Sequence, residues 1–147
     1  MEITFRQIIV EDFEFLWRLH NLALKEYVKK TWGWDEKHQR QMFERDFNPN
    51  NGKIIVIDGA DAGYLWVNEK ESETHLISIR FLPEYQNKKI GTKIIQDLIN
   101  KSTKPIRLQV LKVNPAQKLY EKLGFEKIGE TETHFLMKNF GLKKSAD

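Results

Sequence analysis

The chain has 147 residues, of which 40% are hydrophobic and 12% aromatic, and this suits a single globular domain. We therefore predict one domain over residues 1–140, followed by a loose tail over residues 141–147. The 24 Lys and Arg residues against 21 Asp and Glu give a net charge of +3, which is too weak a basic excess for a nucleic-acid binder. A small anionic ligand fits this charge better.

The chain contains no cysteine, which excludes disulfides, thiolate metal sites and a cysteine nucleophile. A reducing compartment permits this composition, so we expect a cytoplasmic protein without a metal site. The start MEITFRQIIV has no basic region ahead of a long apolar segment, and no later run approaches the roughly 18 apolar residues of a membrane span. We therefore expect a soluble, unprocessed chain that binds neither membrane nor nucleic acid.

The first third of the chain predicts one strand and two helices. Apolar and polar residues alternate from Ile3 to Ile9, as in a half-buried strand. Apolar residues then recur at helical spacing, which predicts a helix from about Asp12, acting as its cap, to Lys30. After the break at TWGWDEKHQ, Asp35 can cap a second helix that ends at NPNNG.

The middle of the chain predicts a hairpin, a third strand and a helix. Asp58-Gly59 lies between runs of β-branched residues and tolerates the positive φ angles of a tight turn, so KIIVIDGADAGYLWV is predicted to be a hairpin. The strand from His75 to Leu82 stops at Pro83, and the segment from Ile90 to Ile99 returns to a helical period.

The last part of the chain predicts a strand, a short helix and a final strand pair. IRLQVL is the strand, and in VNPAQKLYEKLGF we expect Asn114 as N-cap, Pro115 at the first helical position and Gly124 just past the end. The segments from Phe125 to Ile128 and from Thr133 to Lys138 complete the series. This order predicts an α+β domain around a mixed, mostly antiparallel sheet with one parallel crossover.

The polar stretch PEYQNKKIGTK connects a predicted strand to a predicted helix. Such a loop can direct several backbone N–H groups at one point, where the helix dipole adds partial positive charge and favours phosphate. Gly91 would let the backbone approach a ligand closely, and Lys88 and Lys89 would neutralise part of a diphosphate. For this loop alone, an ordinary basic turn is the alternative.

A second pattern, N-x-A-x-x-L-Y-x-x-x-G-F, follows about thirty residues later and begins at Asn114. For an isolated tyrosine on an amphipathic helix, core packing would be the simpler interpretation of Tyr120. The two patterns together, in this order, resemble those of the GNAT acyltransferase superfamily over nearly the whole chain. Gln86 and Gly91 match the family's loop pattern Q/R-x-x-G-x-G/A, whereas Lys89 replaces its first glycine.

The resemblance implies an N-acetyltransferase with acetyl-CoA as co-substrate and a GNAT-like sheet whose parallel strand pair is splayed at the cofactor site. The substrate amine would attack the thioester directly, a strand N–H near Phe81 would stabilise the oxyanion, and Tyr120 would protonate the departing thiolate. The residues that the resemblance assigns to the cofactor are Phe81, Leu82, Gln86, Asn87, Lys88, Lys89, Ile90, Gly91, Thr92 and Asn114.

A general base is also needed, because an alkylammonium is mostly protonated at neutral pH and has no lone pair for attack. His75 is the preferred candidate; Glu73 lies two residues before it, and His134 lies on the last predicted strand. For each histidine, a solvated or structural side chain is the alternative.

The acceptor is predicted to be a primary amine on a small molecule. Family members build the acceptor wall from the segment around the end of the first helix, and an aromatic and acidic lining suits a cationic amine. For the tryptophans, packing between the two helices is the alternative. The predicted wall residues are Glu26, Tyr27, Trp32, Trp34 and Glu36.

Two other functions stay open at this point. Acylation of a protein N-terminus or lysine would require an open groove instead of a closed pocket. A non-catalytic acyl-CoA-binding regulatory module would keep the cofactor site without turnover, and the presence of Tyr120 argues against it. A homodimer is one option for the assembly.

Overall fold

The computed structural model describes residues 1–141, so the predicted tail lies outside the described residues from position 142 onward. None of the helices within residues 1–141 is both long and apolar enough to cross a membrane. The elements in chain order are β1 (Ile3–Gln7), α1 (Phe13–Trp32), α2 (Glu36–Asp46), β2 (Lys53–Ile57), β3 (Ala60–Glu69), β4 (Thr74–Phe81), α3 (Ile90–Lys101), β5 (Ile106–Leu111), α4 (Ala116–Lys122), β6 (Glu126–Glu130) and β7 (His134–Asn139).

Seven strands within the described residues are hydrogen-bonded in the order β1-β2-β3-β4-β5-β7-β6. The pairs β1–β2, β2–β3, β5–β7 and β6–β7 are antiparallel, whereas β4 and β5 are parallel. Because β4 and β5 run in the same direction, the chain must cross over between them, and α3 makes this crossover. The predicted mostly antiparallel α+β fold with one parallel pair is confirmed.

The described chain forms two compact units. The first contains residues 1–66 and 78–86, and the second contains residues 67–77 together with the chain from residue 87 onward. In the first unit, Leu16 and Leu19 of α1 are buried in one cluster with Ile54 and Leu82. In the second unit, the buried apolar side chains come from α3, β5, β7 and neighbouring segments, and include Ile94, Ile95, Ile106, Leu108 and Met137.

Both helices, α1 and α2, start directly after the predicted cap residues, but only Asp35 makes a side-chain capping hydrogen bond. Asp35 Oδ1 accepts a hydrogen bond from the His38 N–H at 3.1 Å and so caps α2. Asp12 is the N-cap residue of α1, as predicted, but its side chain makes no capping hydrogen bond to this helix. Its carboxylate instead pairs with both terminal nitrogens of Arg6 at 2.8 and 2.9 Å and accepts the Ile9 N–H at 2.9 Å.

The two predicted turn signals have the expected backbone. Asp58 and Gly59 have φ angles of 49° and 82° and join β2 to β3, which confirms the hairpin. Gly124 follows α4 with φ of 95°, as a helix-terminating glycine does. The helix α4 begins at Ala116, one residue later than predicted. The Ala116 N–H still donates to Asn114 Oδ1 at 2.9 Å.

Gly63 of β3 lies where the backbone of β4 leaves no room for a side chain. A Cβ at this position would lie 2.2 Å from the Arg80 carbonyl oxygen, which real Cβ atoms do not approach. Gly129 of β6 is different, since a Cβ there would meet only the Leu136 Cδ1 atom at an ordinary 3.6 Å. The close approach of β3 and β4 therefore depends on the missing side chain at position 63.

We expect Gly63→Ala to lower the free energy of unfolding by roughly 1–3 kcal/mol, because the strand backbone must move to relieve the clash. The matched variant Gly129→Ala should change it by less than about 0.5 kcal/mol. Urea unfolding followed by circular dichroism measures both values. Equal stability of the two variants would show that β3 and β4 do not approach as closely as described.

Candidate active site

The parallel neighbours β4 and β5 open into a cavity. They are paired at their first residues, where Thr74 lies opposite Ile106 and His75 opposite Arg107. A cavity of about 480 Å³ lies next to these pairs and is lined by β4, β5 and the start of β7. The polar side chains in its lining are His75, Arg107, Gln109 and His134. The structure thus brings the two histidines singled out in the sequence to one cavity, within the second unit.

Glu73 fixes the orientation of His75. The Glu73 Oε1 atom lies 2.9 Å from the His75 Nε2 atom. An ionised carboxylate only accepts hydrogen bonds, so Nε2 carries a proton and, in the neutral imidazole, Nδ1 carries the lone pair. His75 can therefore accept a proton at Nδ1.

Three donor side chains surround the Glu73 carboxylate. Besides His75, Arg107 Nη1 lies 3.3 Å from Oε1 and Lys138 Nζ lies 3.1 Å from Oε2. Hydrogen bonds from His75 and Lys138, with a smaller one from Arg107, lower the pKa of Glu73 to about 2. Because a general base works best with a pKa near the operating pH, Glu73 is unsuited to that role.

The loop before α3 contains two residues with positive φ. Asn87 has φ of 60° and Lys89 has φ of 63°, a left-handed conformation that costs a residue with a Cβ roughly 1–2 kcal/mol. Lys89 therefore has the left-handed backbone conformation that glycine adopts without this cost, at the position where the resemblance implies glycine. The Lys93 N–H donates to the Lys89 carbonyl at 3.0 Å, so the N–H groups of residues 90–92 belong to the first helical turn, which offers them no intrahelical acceptor.

Tyr120 lies on α4 in the second unit and is half-buried. Its ring packs edge-on against Phe125, with the ring centres 5.8 Å apart. Burial raises the pKa of the Tyr120 phenol above its ordinary value of 10, so the hydroxyl stays protonated at neutral pH.

The end of β4 belongs to the first unit and is tied to the loop that follows it. Gln86 Nε2 donates to the Phe81 carbonyl at 2.9 Å. The buried Leu82 donates its N–H to the Ala62 carbonyl of β3 at 2.9 Å. The Gln86 side chain therefore links the loop after β4 to the backbone at the end of that strand.

Four rings of the first unit pack together, and we call them the aromatic cluster: Trp17, His20, Trp34 and Phe43. The ring centre of His20 lies 5.8 Å from that of Trp17, 6.1 Å from Trp34 and 5.2 Å from Phe43. Trp17 also stacks on Trp34 at 6.4 Å. The cluster joins α1 to α2 and to the segment between them.

The five predicted wall residues occupy different environments. Trp34 belongs to the aromatic cluster, and its Nε1 donates to Glu36 Oε2 at 2.5 Å. Trp32 is 60% exposed at the end of α1, Glu26 is exposed, and Tyr27 is half-buried. The structure thus joins Trp34 to Glu36 and packs Trp34 between the helices, while Trp32 lies at the surface.

Sequence reasoning missed Arg80, which lies beside the aromatic cluster. Its Nη1 is 3.1 Å from the Nδ1 atom of His20, and its guanidinium carbon is 5.9 Å from the ring centre of Tyr64. Burial lowers the pKa of Arg80 to about 10, and burial together with the nearby guanidinium lowers the pKa of His20 to about 4. The sequence feature that could have revealed Arg80 is its position as a cation inside the apolar run HLISIRFL.

Sequence reasoning also missed Arg107 and Gln109. They occupy alternate positions of β5, whose intervening residues Ile106 and Leu108 are buried. In a strand, this alternation places polar side chains on one face and apolar side chains on the other. The alternation in IRLQVL therefore predicted a polar face for this strand, but it did not predict the cavity that this face lines.

The sequence model of the acetyltransferase (GNAT) family matches residues 14–125, which is about three quarters of the chain. The chain belongs to the GNAT acetyltransferase family. This assignment confirms the family predicted from the sequence, and with it an acyltransferase that uses acetyl-CoA as co-substrate. No functionally curated protein has a significant match to the sequence.

Several solved structures with the same fold are acetyltransferases, and three of them serve as examples. The PaiA N-acetyltransferase of Thermoplasma acidophilum, in complex with coenzyme A, superposes with a TM-score of 0.72 at 19% identity, over 95% of this chain and 99% of its own. The ribosomal-protein-S18-alanine N-acetyltransferase of Escherichia coli gives 0.65 at 19% identity, over 95% and 94%. Arabidopsis thaliana Naa50, in complex with the bisubstrate analogue CoA-Ac-MVNAL, gives 0.60 at 16% identity, over 95% and 99%. These TM-scores show a shared fold.

The lowered pKa of His20 predicts a loss of stability in mild acid. Unfolded His20 binds a proton below about pH 6.5, whereas folded His20 does so only near pH 4, so the unfolded state binds more protons in this window. The free energy of unfolding should therefore fall by up to about 3 kcal/mol between pH 6.5 and 4 because of this residue. Urea unfolding at several pH values measures the slope.

The variant His20→Gln should lose most of this contribution to the slope. His38→Gln serves as the control, because His38 lies exposed on α2, and it should keep the wild-type slope. An unchanged slope in His20→Gln would contradict the burial of a neutral His20 beside Arg80.

Proposed function

We propose that this acetyltransferase acts in the cytoplasm on the primary amine of a small molecule, which attacks the acetyl thioester directly. The observation that carries the proposal is the cavity between β4 and β5, where Glu73 holds His75 with Nδ1 as its proton acceptor. The fold shared with the PaiA N-acetyltransferase, a complex with coenzyme A, supports binding of the same co-substrate.

His75 would act as the general base. An alkylammonium with a pKa near 10 has no lone pair, so a proton must leave before the nitrogen can attack. His75 Nδ1 would accept this proton, and Glu73 would stabilise the imidazolium through its contact with Nε2. His134 lines the same cavity and is a candidate for orienting the amine or a bridging water.

The first turn of α3 suits the diphosphate of acetyl-CoA. The N–H groups of residues 90–92 lie at the positive end of the helix dipole, and the exposed Lys88 and Lys89 add positive charge. The diphosphate-binding residues that we propose are Asn87, Lys88, Lys89, Ile90, Gly91 and Thr92. When bound, acetyl-CoA supplies an activated acetyl group and a thiolate leaving group.

Tyr120 would act as the general acid for the departing thiolate. A phenol whose pKa is raised by burial stays protonated at neutral pH, so it carries the proton that the sulfur needs as the carbon–sulfur bond breaks. Asn114 would support this role indirectly, because its hydrogen bond to the Ala116 N–H fixes the start of α4.

The backbone at the end of β4 would bind the pantetheine. Phe81 and Leu82 are the proposed partners, in the manner of a strand added to a sheet edge, with an N–H near Phe81 stabilising the oxyanion. The Leu82 N–H already donates to Ala62, so we assign the donor role to Phe81. Gln86 would hold the Phe81 carbonyl in place through its amide.

The acceptor wall is proposed from the end of α1 and the start of α2. Lys25 Nζ lies 5.4 Å from the ring centre of Trp34, so this ring already has a cation on its face. Glu36, bound to Trp34 Nε1, adds negative charge beside it. The wall residues that we propose are Glu26, Tyr27, Trp32, Trp34 and Glu36.

A second candidate function is acetylation of a protein or peptide N-terminus. The observation in its favour is the shared fold with the Escherichia coli enzyme named for ribosomal protein S18 and with Naa50 bound to a peptide-containing analogue. The two functions differ in whether free small amines or only peptides are acetylated.

The test measures thiol release from acetyl-CoA with polyamines, aminoglycosides, amino acids and peptides as acceptors. We expect a small amine to support turnover, and we expect Tyr120→Phe to lower kcat by roughly 10²- to 10⁴-fold with nearly unchanged acetyl-CoA affinity, since only a proton donor is removed. Tyr85→Phe, which removes a hydroxyl outside the proposed site, should keep wild-type kcat.

Turnover with peptides alone would replace the small-molecule proposal by the second candidate. Binding of acetyl-CoA without turnover on any acceptor would indicate a regulatory module. A fully active Tyr120→Phe enzyme would rule out the acid role of Tyr120 while leaving the acceptor class to be decided by the panel.

A further inference from the structure

Arg107 supplies the positive charge in the wall of the cavity between β4 and β5. The other polar side chains that line this cavity are His75, Gln109 and His134, and none of the described lining residues carries a carboxylate. All of these residues belong to the second unit. A ligand in the cavity therefore meets a cation on the wall and no carboxylate among the described lining residues.

One edge of the Arg107 guanidinium is open. Nη1 donates to Glu73 Oε1 at 3.3 Å, whereas Nε and Nη2 have no hydrogen-bond acceptor within residues 1–141. Two neighbouring N–H groups of a planar guanidinium form a fork that matches the two oxygens of a carboxylate. Arg6 uses this same pair, Nε and Nη2, to hold the Asp61 carboxylate at 3.1 and 2.8 Å. Arg107 therefore presents an edge with which another arginine of this chain binds a carboxylate.

Glu73 balances the charge of Arg107 only in part. The Glu73 carboxylate also contacts His75 Nε2 at 2.9 Å and Lys138 Nζ at 3.1 Å, and both contacts are shorter than the 3.3 Å contact with Arg107. The Arg107 side chain is 37% exposed, and a single long contact at such an exposed position contributes little. Arg107 can therefore bind a ligand carboxylate without giving up a strong internal partner.

His75 and Arg107 are held side by side. They lie opposite each other in the parallel pair of β4 and β5, and neighbouring strands are about 5 Å apart. His75 Nε2 and Arg107 Nη1 also contact the same oxygen atom, Oε1 of Glu73. An amine that passes its proton to His75 and an anion bound by Arg107 would thus be close enough to belong to one small molecule, with few bonds between them.

We propose that the open edge of Arg107 binds a carboxylate of the acceptor, so that the substrate is a small amino acid with its amine at His75. This inference rests on the proposed function, in which His75 takes the proton of the amine, and it narrows the substrate class. Arg107 is then a specificity-determining residue. A polyamine fits the cavity less well, because its second cation would face Arg107 and meet no carboxylate among the described lining residues.

The test compares free L-amino acids with their C-terminal amides, which keep the amine and side chain but lack the carboxylate. Thiol release from acetyl-CoA gives kcat and KM, and the Arg107 Nε–H resonance, assigned by its loss in Arg107→Met, reports binding without any need for turnover. We expect the wild-type protein to favour the acid over the amide by roughly 10-fold or more in kcat/KM, since the amide cannot accept the two hydrogen bonds as an anion. The Arg107 resonance should shift with the acid only.

Arg107→Met should abolish the preference for the acid, and Arg107→Lys, which keeps the charge without the planar fork, should restore only part of it. Lys138→Met is the matched control, because it also removes a cation from Glu73 but does not alter the described cavity lining. It should keep the wild-type ratio of acid to amide even if kcat changes. Arg45→Met removes an exposed arginine of α2 that pairs with Asp46, and should behave as wild type.

Equal use of acids and amides by the wild-type protein would overturn the inference while leaving the acetyltransferase function intact, and this comparison needs no variant to fold. Equal loss of the preference in Lys138→Met and Arg107→Met would overturn it too, because the effect would then act through Glu73. A larger Arg107 resonance shift with inorganic phosphate than with any amino acid would replace the carboxylate by a phosphate ligand. Absence of turnover on every acceptor would instead overturn the proposed function, and the inference with it.

Discussion

The short parallel contact between β4 and β5 is the constraint on which the site in the second unit depends. Within the described residues, β5 is paired with β7 at six positions but with β4 at two, Thr74 with Ile106 and His75 with Arg107. The cavity follows directly after these pairs. Backbone polar groups in such an opening need water or a ligand as partners, because buried N–H and C=O groups are costly to leave unpaired. An extended ligand segment that pairs like a strand meets this requirement.

Glu73 and Arg80 differ in the charge of their neighbours. Glu73 has three donors, and its pKa of about 2 commits it to the ionised form. It can therefore hold and stabilise His75 but cannot exchange protons near neutral pH. Arg80 is in the opposite situation, with uncharged His20 and Tyr64 as its neighbours. Glu73 is thus surrounded by side-chain donors, whereas the neighbours of Arg80 are uncharged.

Much of the fold followed from local patterns that depend on few residues. The Asp58-Gly59 turn, the Asp35 cap and Gly124 after α4 were predictable, since each acts through its own backbone conformation. The position of Asp12 before α1 was predictable, but the pairing of its carboxylate with Arg6 was not, because Arg6 lies in another element and local pattern does not reveal that contact. For the same reason the sequence suggested His75 and His134 separately, while their shared cavity depends on strand order. Arg80 was missed because the apolar run around it was interpreted only as a strand.

The central claim is that the loop before α3 and the opening between β4 and β5 together serve acetyl-CoA. Titration of the ¹⁵N-labelled protein with coenzyme A, followed through backbone amide resonances, tests this residue by residue. The largest shifts are predicted for residues 87–92 and for β5, because N–H groups at a helix N-terminus respond directly to a bound diphosphate. Saturating coenzyme A that leaves these amides unmoved, or that shifts only amides of α1 and α2, would contradict the claim.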